Sequence, residues 1–515
     1  MSDEQRGETP EQLVERIYDE EFGLRPTNFQ IKPVHVANGL VRSLTGRTYQ
    51  ATALAQTLRR WVLKQKTGVQ EERFPNALIL ERYGVAFAGK DGLVPNEEAL
   101  NAFRQLARDA LGADDAVFAD ADQSSFTLAN ERFVTADPSD NRTGLFLARL
   151  LTAGSEGDAA CCLRKLTSTE NDPWTTLALP LLQLGEARDG SLKPDQAALA
   201  ARAERLFRTD GSVLRSPVLR ELRSAYDRLA RFEASEGSKV NSLRRLVLFG
   251  CFAVHVHLVS RWSELVPGAP RPPIFPDMLE GARSAVLDAS RATVRAAGDA
   301  LEGLLVHRIS EYVRQYDNDA ELLRAMPNEQ CRPNQQYRCM QRERVRARME
   351  AYRDEAQPGT HNPLTDALLD VGLEDTNGHP VNFLTELGRR SGYMVPWANQ
   401  GRGGKLQKRY SFTAEFLETL IGAVVEPDDP LDFQEFLQRL RDCFGVVVGR
   451  PQDDCVIRSN NLNDGQFGSP ISVSEEDLRA NVEGLRRLIV ETGYAKTYAD
   501  GQTIVTAAPE GLVAR

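Results

Sequence analysis

Two long apolar stretches separated by a proline-dense turn constrain this chain more than any other feature. Ser242 to Trp262 and Met278 to Tyr312 both carry a helical pattern, and Pro267-Gly-Ala-Pro-Arg-Pro-Pro-Ile-Phe-Pro276 lies between them. Proline lacks an amide N–H and clashes with the preceding turn, so such a cluster stops one helix and fixes the turn before the next. The two stretches are expected to pack as a long antiparallel hairpin, the spine of the molecule. The longest apolar run, Leu246 to Val259, is interrupted by Gly250, His255 and His257. It is shorter than the roughly 20 residues of a bilayer span and reads as a buried helix, with no membrane contact.

A chain of 515 residues exceeds one ordinary core and implies about three or four units. With 41% hydrophobic and 26% charged residues it has the balance of a globular protein. Thr9-Pro10-Glu11-Gln12 supplies a capping box that opens a helix toward Phe22. Thr48 to Gln65 reads as an amphipathic helix and Ala77 to Phe87 as a strand or hairpin. Asn96 caps a helix carrying Leu100, Phe103, Leu106, Ala107 and Leu111, and Ala116 to Phe118 and Ser125 to Leu128 are strand-like. Residues 1–135 therefore form a small α+β domain in this reading. A helical domain, 136–235, follows with helices near 139–152, 173–185, 194–208 and 217–232. The hairpin scaffold occupies 236–360 and ends in an arginine-rich helix, Gln341 to Ala356, whose charges spread around its circumference as a solvated face.

The remainder, 361–515, combines short helices with a closing hairpin. Its elements are Asn382 to Gly388, Ser411 to Ile421, Asp432 to Cys443, an apolar strand from Phe444 to Val448, and a helix headed by Ser474-Glu-Glu-Asp477. Tyr494 to Ala499 and Gln502 to Val505 then flank Asp500-Gly501, a strong hairpin signal. From about 380 to 507 this order resembles winged-helix or related helix-turn-helix modules, which implies docking to DNA or to a partner. The fold class expected is mainly α and multidomain: a small α+β N-terminal domain, a long central helical hairpin, and a C-terminal winged-helix-like α+β module.

Charge and motif searches exclude more than they identify. A net charge of −10 repels nucleic acid and anionic lipid, so any DNA contact must be local. Seven scattered cysteines with no paired spacing suggest reduced, cytoplasmic usage, and the first residues, MSDEQRGETPEQ, lack the basic and apolar regions of a secretory signal. Gly401-Arg-Gly-Gly-Lys405 has neither the preceding strand nor the following hydroxyl residue of a phosphate loop. No dinucleotide fingerprint, nucleophile elbow or acidic-x-Lys nuclease pair is present, and no cofactor is indicated. His255 and His257 diverge by about 200 degrees on a helix, which reads as two core histidines and no metal site. Asp120-Ala-Asp122 reads as an acidic surface loop before it reads as a Mg²⁺ site.

One segment carries a positive signal. Between Arg389 and Tyr410 there are six basic residues and no acidic one, interleaved with Tyr393, Trp397 and Tyr410. Cations neutralise phosphates while aromatic faces stack on bases, so Arg389, Arg390, Trp397, Arg402, Lys405, Lys408 and Arg409 form the candidate nucleic-acid-binding set. The helix from Asp432 to Cys443 is not especially basic, which argues against major-groove reading. The chain is expected to be a non-enzymatic scaffold or DNA-docking subunit of a bacterial multiprotein assembly, of the phage-defence, restriction or DNA-maintenance kind. Its partners would be other protein subunits and DNA. The alternatives are a divergent metal-dependent enzyme acting on nucleic acid and a winged-helix transcription regulator.

Overall fold

The computed structural model describes residues 7–27, 30–51, 57–58, 61–62, 75–88, 91–111, 130–134, 139–168, 176, 184–189, 194–234, 239–327, 340–355, 362–376, 378–395, 408–450, 453 and 472–507. Ten helices in chain order are α1 (Pro10–Ile17), α2 (Pro33–Thr45), α3 (Asn76–Tyr83), α4 (Glu97–Leu111), α5 (Thr143–Thr152), α6 (Asp158–Ser168), α7 (Pro194–Arg202), α8 (Pro217–Ala234), α9 (Lys239–Leu265) and α10 (Ser284–Val313). Then follow α11 (Asp319–Ala325), α12 (Gln341–Glu355), α13 (Pro363–Asp375), α14 (Pro380–Arg390), α15 (Ala414–Val424), α16 (Phe433–Phe444) and α17 (Glu475–Glu491). The architecture is mainly α and multidomain, with small β-sheets set among the helices.

The expected spine is present as α9 and α10. Every residue of α9 from Leu246 to Arg261 is buried, so this helix has no solvent face and belongs to the centre of a large core. By length and composition α9 passes as a bilayer span, but it is enclosed by α2, α8, α10, α14 and α15. The turn between α9 and α10 also acts as a strap. Ile274 donates to the Gly445 carbonyl at 2.9 Å and accepts from Val447 at 2.9 Å, forming a parallel bridge with Val446. Asp277 N–H donates to the Tyr410 carbonyl at 2.9 Å. Residues 278–283 are turn and bend, so α10 starts later than the apolar pattern suggested.

At the N-terminus the capping box is formed: Thr9 Oγ1 accepts from Gln12 N and Gln12 Oε1 accepts from Thr9 N. α1 runs into a π-turn, Tyr18–Phe22, which Gly23 ends in the left-handed region at φ 69°. α2, which the sequence reading passed over, packs on α5 through two glycines. A Cβ on Gly144 would lie 2.1 Å from the Gly39 carbonyl carbon, so this approach requires glycine. Thr48–Ala51, the start of the stretch expected to be helical, belongs to a strand, Arg47–Ala51 (β1), paired antiparallel with Leu184–Asp189 (β2), while 57–58 and 61–62 are helical; β2 overlaps the end of the helix expected at 173–185. Ala77 to Phe87, expected to be a strand or hairpin, is α3 followed by a 3-10 turn, with Ile79 as its fully buried side chain. Its apolar residues satisfied both periods, and the proline at 75 sets a helical start. Asn96 caps α4 by accepting from Ala99 N, although Leu106 is exposed. The strand-like stretches at 116–118 and 125–128, with Asp120 and Asp122, lie outside the described residues.

Two arginines of α12 are answered by α13, Arg353 reaches Asp319 on α11, and Arg346 stays on the solvated face. Arg344 pairs with Asp375 and Glu374 at 2.6 Å each, and Arg348 pairs with Glu374 at 2.5 Å. In the C-terminal unit β7 (Leu431–Asp432), β8 (Ala495–Thr497) and β9 (Thr503–Val505) form an antiparallel sheet in the order β7-β9-β8. The Asp500-Gly501 hairpin is as expected, with Gly501 at φ 86°. Phe444 to Val448, expected to be a strand, makes only the bridge to Ile274. The larger buried cluster draws on residues from Leu13 to Ala507, and a smaller one joins Phe275, Val286, Val447 and Leu478.

Candidate functional site

The basic segment is built around Glu386 on α14. Glu386 is buried, and it accepts from Arg389 Nη2 at 2.5 Å and from Lys408 Nζ at 3.0 Å, with Arg390 Nε at 3.8 Å. Burial alone would push its carboxyl up. The hydrogen bonds and charges of Arg389 and Lys408 outweigh this and hold it below the usual carboxylate range. Lys408 is only 4% exposed, so its ammonium faces Glu386 and not solvent. Arg409, in the short pair of β5 (Met394–Val395) and β6 (Arg409–Tyr410), donates to Asp277 at 2.8 Å, and Asp277 is fully buried. Arg389, Arg390, Lys408 and Arg409 are thus each engaged with a carboxylate of their own chain. Trp397, Arg402 and Lys405 lie outside the described residues. Glu386 precedes Arg389 by one helical turn and was legible as a partner. Asp277 stands 132 positions away in sequence and was not.

Two aromatic residues of the segment belong to the core. Tyr410 and Tyr393 are fully buried. Tyr410 Oη lies 2.8 Å from His255 Nε2, and Tyr393 donates to the Cys251 carbonyl at 3.5 Å. His257 Nε2 faces the Phe22 carbonyl at 3.0 Å instead, so the two imidazoles of α9 point to different parts of the core, as a helix requires. Burial lowers both histidines to about 3, leaving neutral rings. Among the described residues no group of three or more His, Cys, Asp or Glu is placed to hold a metal ion.

A second polar centre was not anticipated. The π-turn Tyr18–Phe22 turns Asp19 and Glu21 inward, each 1% exposed. Asp19 accepts from Arg25 at 3.0 Å, Arg142 at 3.2 Å and Arg202 at 3.1 Å. Glu21 pairs with Arg205, with Arg261 at 3.1 Å and with Arg308 at 2.9 Å. Asn141 and Arg142 hold positive φ values of 48° and 67°, which aims Arg142 at Asp19. A cleft of about 410 Å³ opens beside this centre. Its buried carboxylates are saturated by guanidinium groups, which fits a clamp holding the N-terminal segment to α9 and α10 and does not fit a free general base. The run Asp19-Glu20-Glu21 was the only sequence signal for it.

The C-terminal unit carries a further cleft of about 390 Å³, between the start of α16, Arg450, the Arg479–Arg486 face of α17 and the hairpin turn at Gly501. Its three arginines are also paired: Arg450 with Asp453, Arg479 with Glu475 and Arg486 with Glu483. Another flank of α17 is fastened to the proline strap. Buried Asn481 accepts from Met278 N at 2.8 Å and donates to the Pro276 carbonyl at 2.9 Å and the Val448 carbonyl at 2.8 Å. The free face of α17 shows Glu476, Arg479, Glu483, Arg487 and Val490, and the hairpin adds Tyr498. Compared with known proteins, the chain matches no family model, no curated protein and no solved structure.

Proposed function

We propose that this chain is a non-enzymatic scaffold or DNA-docking subunit of a bacterial multiprotein assembly, with the region from about 380 to 507 as its winged-helix-like docking unit. The observation that carries this reading is the order α15, β7, α16, α17, β8, β9 with β9 paired between β7 and β8. That order sets a third helix beside a two-stranded wing, the arrangement winged-helix modules use for docking. The buried middle of α9, Leu246 to Arg261, and the saturated carboxylates at Asp19 and Glu21 support a scaffold role for the remainder. The free face of α17 mixes both charge signs with exposed Val490 and Tyr498, which suits a protein partner better than a phosphate backbone. Trp397, Arg402 and Lys405 remain the part of the basic segment proposed for DNA.

The non-enzymatic half is tested by incubating the purified chain with ATP, duplex DNA and Mg²⁺ or Mn²⁺. Neither phosphate release nor strand scission is expected. Turnover that survives repurification and vanishes in Asp120→Asn or Asp122→Asn would overturn it. The docking half is tested by the paired substitution Val490→Asp and Tyr498→Asp, whose sites are exposed enough to leave the fold intact.

A further inference from the structure

The helical middle of the chain carries a short hairpin whose arginines are left without partners. β3 (Thr209–Asp210) and β4 (Val213–Leu214) pair Thr209 with Leu214 and Asp210 with Val213 around Gly211. The next pair outward is Arg208 and Arg215, where Arg215 N–H donates to the Arg208 carbonyl at 2.9 Å. Residues opposed in this way place their side chains on one face, with Cβ atoms about 5 Å apart. Both are exposed, and so is Arg220 in the first turn of α8. Among the described residues none of these three side chains has an ion-pair or hydrogen-bond partner.

The arginines on either side are all engaged. Arg202 and Arg205 reach Asp19 and Glu21, and Arg223 donates to the carbonyls of Ala153 and Ser155. Like charges opposed across a hairpin repel. Cations at the start of α8 are disfavoured by the helix dipole, and its first turn holds no acidic residue. Asp210, two positions on from Arg208, shares that face without an ion pair among the described residues, so the patch keeps a net positive charge that a polyanion would answer. A protein partner would call for an apolar centre beside the cations, and the hairpin offers only Val213. Duplex DNA presents a negative charge about every 1.7 Å along its axis, so neighbouring phosphates can answer the opposed Arg208 and Arg215 together.

We propose that Arg208, Arg215 and Arg220 form a contact surface for the phosphate backbone of duplex DNA. The proposal rests on the reading of the chain as a DNA-docking subunit and adds a surface separate from the 389–410 segment. With the rest of the chain at net negative charge, this patch would also orient the molecule on the duplex.

The test uses the full chain, a fluorescein-labelled 20-base-pair duplex of arbitrary sequence, and anisotropy titrations between about 50 and 200 mM KCl. The triple variant Arg208→Glu, Arg215→Glu, Arg220→Glu should lose at least about tenfold in affinity, and its log–log salt slope should be shallower by about 2.7, close to 0.9 per phosphate. The corresponding Arg→Lys variant should stay within about threefold of the parent, because Lys keeps the charge. A Gln variant with an unchanged thermal melt separates lost binding from lost fold. If Arg402→Glu with Lys405→Glu abolishes binding while the hairpin variant binds like the parent, the proposal falls and the DNA-docking reading stands. If the parent does not bind the duplex, both fall. If the parent binds poly-glutamate in preference to DNA and the Glu variant loses it, the surface serves an acidic protein and the proposal is overturned.

Discussion

Acid should destabilise this protein through two histidines that never meet solvent. His255 and His257 are fully buried, and burial lowers each from the ordinary 6.5 to about 3. Above pH 6.5 both rings are neutral in the folded and the unfolded chain, and the contribution to stability is complete. As pH falls below 6.5 the unfolded chain takes up protons that the folded chain cannot, so stability is lost until the folded rings protonate near 3. At pH 5 the loss is about 2 kcal/mol per histidine and about 4 kcal/mol for both, at 1.36 kcal/mol per pH unit. That is a large share of the 5–15 kcal/mol that typically holds a protein folded. Urea unfolding followed by tryptophan fluorescence between pH 5 and 7.5 measures it. In His255→Gln or His257→Gln, which can keep a hydrogen bond to Tyr410 or to the Phe22 carbonyl, the pH slope should fall by about 1.4 kcal/mol per unit relative to the parent. Parent and variants sharing one slope would refute the reasoning.

Other outcomes follow from single contacts. Gly144→Ala places a methyl 2.1 Å from the Gly39 carbonyl carbon and should cost about 3 kcal/mol or more, read from the urea midpoint. Asn481→Leu leaves the Met278 N–H and the Pro276 and Val448 carbonyls without this partner. It should cost about 3 kcal/mol, and the Met278 amide should exchange faster with deuterium. Arg409→Ala strands the buried Asp277 carboxylate and should lose about 3 kcal/mol, a stability defect that DNA titration alone would not reveal. Among the described cysteines Cys161 is exposed, whereas Cys251 is buried with its thiol pushed up to about 12. Alkylation of the native protein should therefore reach Cys161 first and Cys251 only on unfolding, and early labelling of Cys251 would contradict this.

Local rules carried the sequence reading where the signal was local. The Thr9 capping box, the Asn96 cap, the helices flanking the proline cluster and the Asp500-Gly501 hairpin are all fixed by residues within a few positions of one another. The reading failed where distant partners decide. Arg47–Ala51 is a strand because Leu184–Asp189 lies beside it, and no window on the sequence contains both. α2 begins at Pro33 with no side-chain cap and buries His35, Asn38 and Arg42 along with its apolar residues, so its polar positions do not mark a solvent face. Cys443 is only partly buried and rests against Glu221 on α8, a partner 222 positions away. The basic segment was legible as composition, but composition does not say where charge goes. Glu386 and Asp277 decide that for four of its cations, and Asp277 arrives by way of the proline strap.

The docking proposed for the C-terminal unit runs through the free face of α17 and its hairpin. The most direct measurement is the native mass of the affinity-tagged chain expressed in its own host, for the parent and for Val490→Asp with Tyr498→Asp. The parent should migrate as part of a larger assembly of fixed composition. The variant should migrate as the free 57.2 kDa chain with an unchanged melting temperature. A parent that migrates alone, or a variant that keeps the assembly intact, would contradict the claim.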